Sequence, residues 1–349
     1  MKPKAVQAME QLCESLKQAG QVPVVIGNKV LVLPFAGRVL GLYPDGETNL
    51  FWVHEALFSR ESAQMFLSCE GWLNLGGDRT WISPEIETHI EDRLSYPAAI
   101  EVPKSVDPGA YRVIQADELS AALTSDMNVR FHQSKMTLKM NLTKKVAFME
   151  KPPMPLKEGV SFAGYRMNYA LTITEPVSGA ARPGLWNLIQ VPGGGEIIVP
   201  VKAGAKISPF IGKPVYSQVG NLVRCTVKTD SSYKFSLKAD YSRGLMVYIG
   251  IQGDKGSLVV RKFPVSDPAR YADYPSFDPS DEGYMTEIYV DDGQYGSFGE
   301  LEYHSPALEI GKGETEVDDS SETWGFTGPA EAIRELCGTI IQTSLEKSD

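Results

Sequence analysis

The chain reads as an all-β protein, a large antiparallel β-supersandwich flanked by one N-terminal and one C-terminal helix. Three observations predict this. Short β-branched runs recur from residue 22 to residue 290, Gly and Pro punctuate them, and apolar residues at helical spacing are confined to the two ends.

Val6, Met9, Leu12, Cys13 and Leu16 share one face of a helix over 4–19, with Lys4, Glu10, Glu14 and Lys17 elsewhere and Gly20 as its C-cap. Runs 22–26 and 29–34 form a hairpin about Gly27-Asn28. Run 38–43 ends at Pro44-Asp45-Gly46, and 49–54 is the next strand. Further strands are predicted at 129–131, 135–142, 146–149, 165–174, 186–191, 197–201, 222–228, 236–239, 245–252, 258–263 and 286–290, with a turn at Gly253-Asp254-Lys255-Gly256. The polar stretch 264–283 is read as a long surface loop. Pro329 opens a second helix whose stripe is Ala332, Ile333, Leu336, Cys337, Ile340 and Ile341. The expected units are helix 1–20, sandwich domain 21–328 and helix 329–349, both helices packing on the outside.

A 42% hydrophobic content over 349 residues is ample for a packed core. The net charge of −10, without any basic cluster, argues against a nucleic-acid partner. No apolar stretch of about 18 residues exists, and none follows the basic Met1-Lys2-Pro3-Lys4 in the manner of a signal peptide. A soluble cytoplasmic protein with no membrane partner is expected. Cys13, Cys69, Cys225 and Cys337 are scattered without a CxxC pair, which disfavours zinc and a disulfide framework. No metal or cofactor is predicted. Gly193-Gly194-Gly195 leads into a β-branched run rather than a helix, so it is a turn and not a phosphate loop. Asp291-Asp292-Gly293 and the pair Asp278 and Asp281 lack the ligand spacing of an EF-hand loop.

Two stretches carry chemistry. Gly76-Gly77-Asp78-Arg79-Thr80-Trp81-Ile82-Ser83-Pro84-Glu85 sets an arginine and an indole beside a glycine turn. Phe298-Gly299-Glu300-Leu301-Glu302-Tyr303-His304-Ser305-Pro306 sets two carboxylates at i and i+2, on one face of a strand. Guanidinium, indole and carboxylate are the groups that grip and protonate a polyhydroxylated ring.

These stretches look like pocket segments of the galactose mutarotase-like β-sandwich superfamily. Gly37-Arg38-Val39-Leu40-Gly41-Leu42 with Asn49-Leu50-Phe51-Trp52-Val53 looks like that superfamily's opening hairpin, Asp107-Pro108-Gly109-Ala110-Tyr111 resembles its transition into the main sandwich, and Leu308–Glu314 and Glu322–Phe326 look like its closing strands. The resemblance spans roughly 22–328 and is nearest to the uncharacterised families of that superfamily. It departs at Gly311-Lys312, where the family turn has proline. It departs again at Gly184-Leu185-Trp186-Asn187-Leu188-Ile189-Gln190, which lacks the histidine of the classical aldose 1-epimerases.

The resemblance implies a small-molecule carbohydrate as partner and Glu302 as the acid/base, with Glu300 as its alternative. His132 or His304 is the candidate for the missing acid. Arg79 would anchor hydroxyls through its planar fork, Trp81 and Trp186 would stack on a sugar face, and Asn187 would add a contact. Each has a plainer reading: solvated strand carboxylates, satisfied structural histidines, a surface ion pair of Arg79 with Asp78 or Glu85, and core tryptophans. His54 ranks below, and His89 is expected on the surface. A phosphorylated sugar would require Arg79, Arg130 and Arg166 to converge. Two readings stay open: epimerisation at an anomeric carbon by general acid/base catalysis, and a non-catalytic sugar-binding or sensor domain that lost the histidine.

Overall fold

The computed structural model describes residues 9–346, so Lys4, Val6 and residues 347–349 of the expected helices lie outside it. The chain opens with α1 (Met9–Gln18), β1 (Val24–Ile26), β2 (Val30–Leu33), β3 (Arg38–Leu42), α2 (Arg60–Leu67), β4 (Asp78–Ser83) and the short α3 (Glu85–Thr88). Next come β5 (Arg112–Ala116), β6 (Ser120–Phe131), β7 (Met136–Phe148), β8 (Ser161–Ile173), β9 (Gly184–Pro192) and β10 (Glu196–Pro200). Then follow β11 (Ser208–Ile211), β12 (Ser217–Val219), β13 (Leu222–Thr226), β14 (Tyr233–Lys238), β15 (Leu245–Gln252) and β16 (Lys255–Lys262). The chain closes with β17 (Tyr284–Val290), β18 (Phe298–His304), β19 (Glu316–Pro329) and α4 (Ala330–Leu345).

The strands form two antiparallel sheets. One has nine strands in the order β1-β2-β3-β4-β9-β18-β17-β14-β11, the other ten in the order β12-β13-β10-β15-β16-β19-β8-β7-β6-β5. The main core lies between them, with Leu301, Ile288 and Ile189 of the first sheet against residues such as Met127, Leu142 and Met167 of the second. α1 and α2 cover the outer side of β2 and β3 through Leu12, Leu16, Leu31, Leu33 and Leu40. α4 covers the outer side of the ten-stranded sheet through Ile333, Leu336 and Ile340. α1 ends as its glycine predicts: Gly20 takes φ +83°, and Gln21 N–H reaches back to Leu16 O at 2.9 Å. No described helix is long and apolar enough to cross a membrane.

Several elements differ from the sequence expectation for identifiable reasons. The expected 49–54 strand is an extended crossing joined by one bridge, Val53 to Gly76. There the Asn49 side-chain oxygen accepts from Leu42 N and Phe51 N, taking donors that a ladder would use. The two expected strands 135–142 and 146–149 are one strand, β7. Its interior Lys144 hid the alternation, because this lysine points inward to the Gly37 carbonyl and lies 4.7 Å from the Tyr111 ring. β4 is a full strand paired with β9 from Asp78 to Ser83, where a turn with flanking residues was expected. The 264–283 stretch is only partly a surface loop, since Tyr271, Asp273 and Tyr274 are buried.

Entry to β4 depends on Gly76 and Gly77, at φ +93° and +77°. A Cβ on Gly77 would lie 2.4 Å from Val39 O, a backbone atom that cannot move aside. Gly194 shares the positive φ, at +96°, but has open space around it. Gly77→Ala is therefore expected to lower the unfolding free energy in urea by about 3 kcal/mol or more, against about 1–2 kcal/mol for Gly194→Ala. Equal losses would show that φ alone, and not the close approach, sets the cost.

Candidate functional site

Strand register builds the site. Glu302 pairs across with Leu188 of β9 and Glu287 of β17, Glu300 with Gln190 and Tyr289, and His304 with Trp186. Arg79 and Trp81 of β4 lie opposite Leu188 and Trp186. Side chains alternate along a strand, so Arg79, Trp81, Trp186, Gln190, Glu287, Glu300, Glu302 and His304 share one face. It is the outer face of the nine-stranded sheet. The inner face carries Asp78 and Tyr303, which bond Tyr165 and Asp319 of the other sheet.

On the outer face, Arg79 pairs with Glu300 at 2.8 Å, and the Gln190 amide donates to the same Glu300 oxygen at 2.7 Å. The Arg79 guanidinium lies 4.3 Å from the Trp81 ring centre. Trp186 donates its indole N–H to Glu302 Oε2 at 2.7 Å. Lys234 of β14 is the hub: its Nζ lies 2.6 Å from Glu287, 3.0 Å from Glu85 and 3.3 Å from Glu302, and 4.3 Å from the Trp186 ring centre. His89 packs between the indoles, its ring centre 4.9 Å from Trp81 and 5.6 Å from Trp186. His304 stacks parallel to Trp186 at 5.8 Å.

Two chain segments cover this face. From one side come Glu85, His89 and Tyr96, with Asp107 accepting from Arg38, Trp72 and Trp81 at 2.5, 3.0 and 2.9 Å. From the other come Asp273 and Tyr274. Arg93 NH1 donates to Ser276 O at 2.9 Å, and Ile86, Ile90, Tyr96 and Tyr274 pack together where the segments meet. Glu302 is fully buried as a result.

Burial sets the proton affinities. It pushes Glu302 well above the usual carboxylate range, and Glu300 and Glu287 add to this against the pull of Lys234. Asp273 is raised in the same way, by burial and then by Glu287. For Glu287 burial acts against the charge, but Lys234 and His304 outweigh it and hold this carboxyl well below the usual range. Burial disfavours the Lys234 ammonium too, yet Glu287, Glu302 and Glu85 keep it charged. Burial, with Lys234 and Arg79 nearby, lowers His89 to about 3. The Thr88 hydroxyl lies 2.8 Å from both the Ile82 carbonyl and His89 Nδ1. Donating to the carbonyl, it accepts from Nδ1–H, which leaves His89 Nε2 as an acceptor.

Six of the residues singled out from the sequence therefore meet on one face: Arg79, Trp81, Trp186, Glu300, Glu302 and His304. Arg79 is not at the surface, and its carboxylate partner is Glu300 rather than Asp78 or Glu85. Asn187 is on the opposite face, buried between the sheets and bonded to Thr80 at 2.9 Å, because it is one residue out of phase with Trp186. His132 sits at the β6–β7 turn on the other sheet, where its N–H donates to Glu87 O. Arg130 and Arg166 are exposed on that sheet and do not converge with Arg79. His89, expected at the surface, is 1% exposed and belongs to the site. Sequence reading also missed Lys234, Glu287, Glu85 and Asp273. Lys234 in Tyr233–Lys238 and Glu287 in Tyr284–Val290 alternate with apolar residues as solvated strand charges do. Only the covering segments bury them.

These proton affinities predict a pH dependence. A carboxyl raised in the folded protein contributes stability that is full below its unfolded value, about 4.3 for Glu, and is lost as pH rises through its folded value. Glu287, being depressed, contributes a constant amount above that range, while His89 makes stability rise with pH up to about 6.5. Glu302→Gln removes only the first of these. Its unfolding free energy in urea should gain on wild type between pH 5 and pH 8, and parallel profiles would show that Glu302 titrates normally.

Residues 10–349 match the family described as "Family of unknown function (DUF6786)". No curated protein matches the chain. Among solved structures, a galactose mutarotase-like protein from Lactobacillus casei ATCC 334 aligns at 10% identity and TM-score 0.51, over 88% of this chain and 100% of that one. A galactose mutarotase related enzyme from Lactobacillus acidophilus aligns at 7% identity and TM-score 0.48, over 87% and 97%. At 10% identity the first likeness speaks for the fold and leaves the reaction open. The chain belongs to the DUF6786 family of unknown function, and its fold is that of the galactose mutarotase-like proteins.

Proposed function

We propose that the outer face of the nine-stranded sheet binds a small neutral carbohydrate and exchanges protons with it at Glu302. One observation carries this reading. Glu302 Oε1, Gln190 Oε1, Arg79 NH1 and His89 Nε2 are all buried and have no hydrogen-bond partner among the described residues, and they surround the indoles of Trp81 and Trp186. Buried polar atoms are ordinarily satisfied, so a cluster of orphans calls for hydroxyl groups. Indole faces suit the C–H face of a sugar ring, and the balance of acid and base on this face does not favour a phosphate.

The resting protonation states suit anomer epimerisation. Glu302 holds a proton and His89 Nε2 holds a lone pair, on either side of Trp186. Delivery of the Glu302 proton to the ring oxygen, with the O1 proton passing to His89 Nε2, breaks the C1–O5 bond and gives the open aldehyde. The resulting carboxylate and imidazolium stabilise each other. Rotation about C1–C2 and reversal of both transfers close the ring on the other face and restore both groups. Access requires the Arg93–Ser276 contact to part.

Proton NMR exchange between α and β anomers, across a panel of free aldoses, tests the reading. The protein should accelerate exchange, and Glu302→Gln and His89→Gln should each lower the acceleration by about 10² or more. The non-catalytic reading is favoured by the absence of a histidine from segment 184–190, which resembles the histidine-bearing segment of the classical enzymes. Calorimetric binding of a sugar without accelerated exchange would select it.

A further inference from the structure

Beside the carbohydrate face, Asp273, Glu287 and His304 bring their ligand-type atoms within 4.8 Å of one another, all buried. We infer that these three side chains form a binding site for one divalent first-row transition-metal ion. The inference stands on its own observations and does not rest on the carbohydrate reading.

The spacing is right. Metal–ligand bonds of about 2.0–2.2 Å place neighbouring ligand atoms of one ion roughly 3–4 Å apart. His304 Nε2 is 3.2 Å from Glu287 Oε2 and 4.0 Å from Asp273 Oδ2. The donors are also poorly satisfied without an ion. Both oxygens of Glu287, both ring nitrogens of His304 and Oδ1 of Asp273 lack a hydrogen-bond partner among the described residues. Lys234 Nζ and His304 Nε2 approach the same Glu287 oxygen, Oε2, at 2.6 and 3.2 Å, which leaves Glu287 Oε1, His304 Nδ1 and Asp273 Oδ1 as the donors without any close partner.

Charge points the same way. Arg79 pairs with Glu300, and Lys234 is surrounded by Glu85, Glu287 and Glu302. Lys234 reaches Glu287, Glu85 and Glu302, whereas Asp273 has only His304 Nε2, at 4.0 Å, among the ion-pair contacts of the described residues. A cation there would serve the one carboxylate that the lysine does not reach.

The backbone supports the arrangement. Glu287 and His304 project from the paired strands β17 and β18. Asp273 is fixed by its own carbonyl, which accepts from Gly283 N at 3.1 Å and Tyr284 N at 3.2 Å. One imidazole with two carboxylates suits Mn²⁺, Fe²⁺ or Zn²⁺ better than Ca²⁺ or Mg²⁺, which prefer oxygen throughout. A bound ion would engage His304 Nε2 and leave Glu302 and His89 as the proton-exchanging pair.

The test uses chelator-treated full-length protein equilibrated with Zn²⁺ or Mn²⁺, without sugar, and reads bound metal by mass spectrometry. The expected result is one ion per chain for wild type and for His132→Gln, and loss of that ion in His304→Gln and Asp273→Asn. No stoichiometric uptake by wild type, or retention in both variants, would overturn the assignment. Should the variants fail to fold, Co²⁺-loaded wild type still decides. Paramagnetically shifted proton signals from a single imidazole support the site, and signals from none or from several of the four histidines refute it. Because anomer exchange is read separately, failure of the metal site and failure of the carbohydrate reading are distinguishable.

Discussion

The arrangement turns on a buried ion pair between the sheets. Arg261 of β16 reaches Asp78 of β4 at 2.7 Å, the Tyr165 hydroxyl donates to the same carboxylate at 2.6 Å, and Arg261 also bonds the Tyr169 hydroxyl at 3.1 Å. Breaking such a pair strands a charge in low dielectric, so it specifies register strongly whatever its net contribution to stability. A slip of β4 by one residue would turn Asp78 outward and bring Arg79 and Trp81 into the core. Pinning Asp78 inward therefore aims Arg79 and Trp81 at the outer face. The orientation of the candidate face is a consequence of the inter-sheet lock.

The outer face is the more acidic of the two. Between the sheets, Arg261 is matched by Asp78 and flanked by tyrosines, and the Tyr303 hydroxyl satisfies Asp319 at 2.8 Å. Outside, Glu85, Glu287 and Glu302 compete for Lys234, and Glu287 Oε1 and Glu302 Oε1 have no hydrogen-bond partner among the described residues. A protein selected only for stability would not hold this imbalance beneath two covering segments, since replacing such groups by apolar ones is often neutral or favourable. Raised proton affinities at Glu302 and Asp273 are of the kind that candidate functional sites concentrate.

The covering segments explain why this face combines perturbed proton affinities with little exposure. Closure by Tyr96, Asp107, Asp273 and Tyr274 excludes water, which strengthens every electrostatic interaction beneath and raises Glu302 and Asp273. The same closure removes open access, and the contacts between the segments are few: one arginine–carbonyl bond and a small apolar cluster of Ile86, Ile90, Tyr96 and Tyr274. Weak closure over a strongly interacting interior is what the proposed function requires, because its ligand has to enter and then be enclosed.

Local chemistry sufficed for much of the fold. β-branched runs, glycine turns and terminal apolar stripes determined an all-β sandwich with helices outside, because strand and helix periods are written in neighbouring residues. The i, i+2 spacing of Glu300 and Glu302 likewise determined that they share a face. Tertiary structure alone decided the rest. Whether Lys234, Glu287 and His89 are solvated or buried depends on segments distant in sequence that fold over them. Asn187 and Trp186 are neighbours in the chain, yet strand alternation places them on opposite faces, and only pairing with β4 and β18 shows which face is the outer one. Asp273 lies in a polar stretch with the look of a loop, and only its bridge to Tyr284 carries it beside Glu287 and His304. Periodicity is a local property and legible in sequence, whereas charge burial is a sum over the whole surrounding volume and is not.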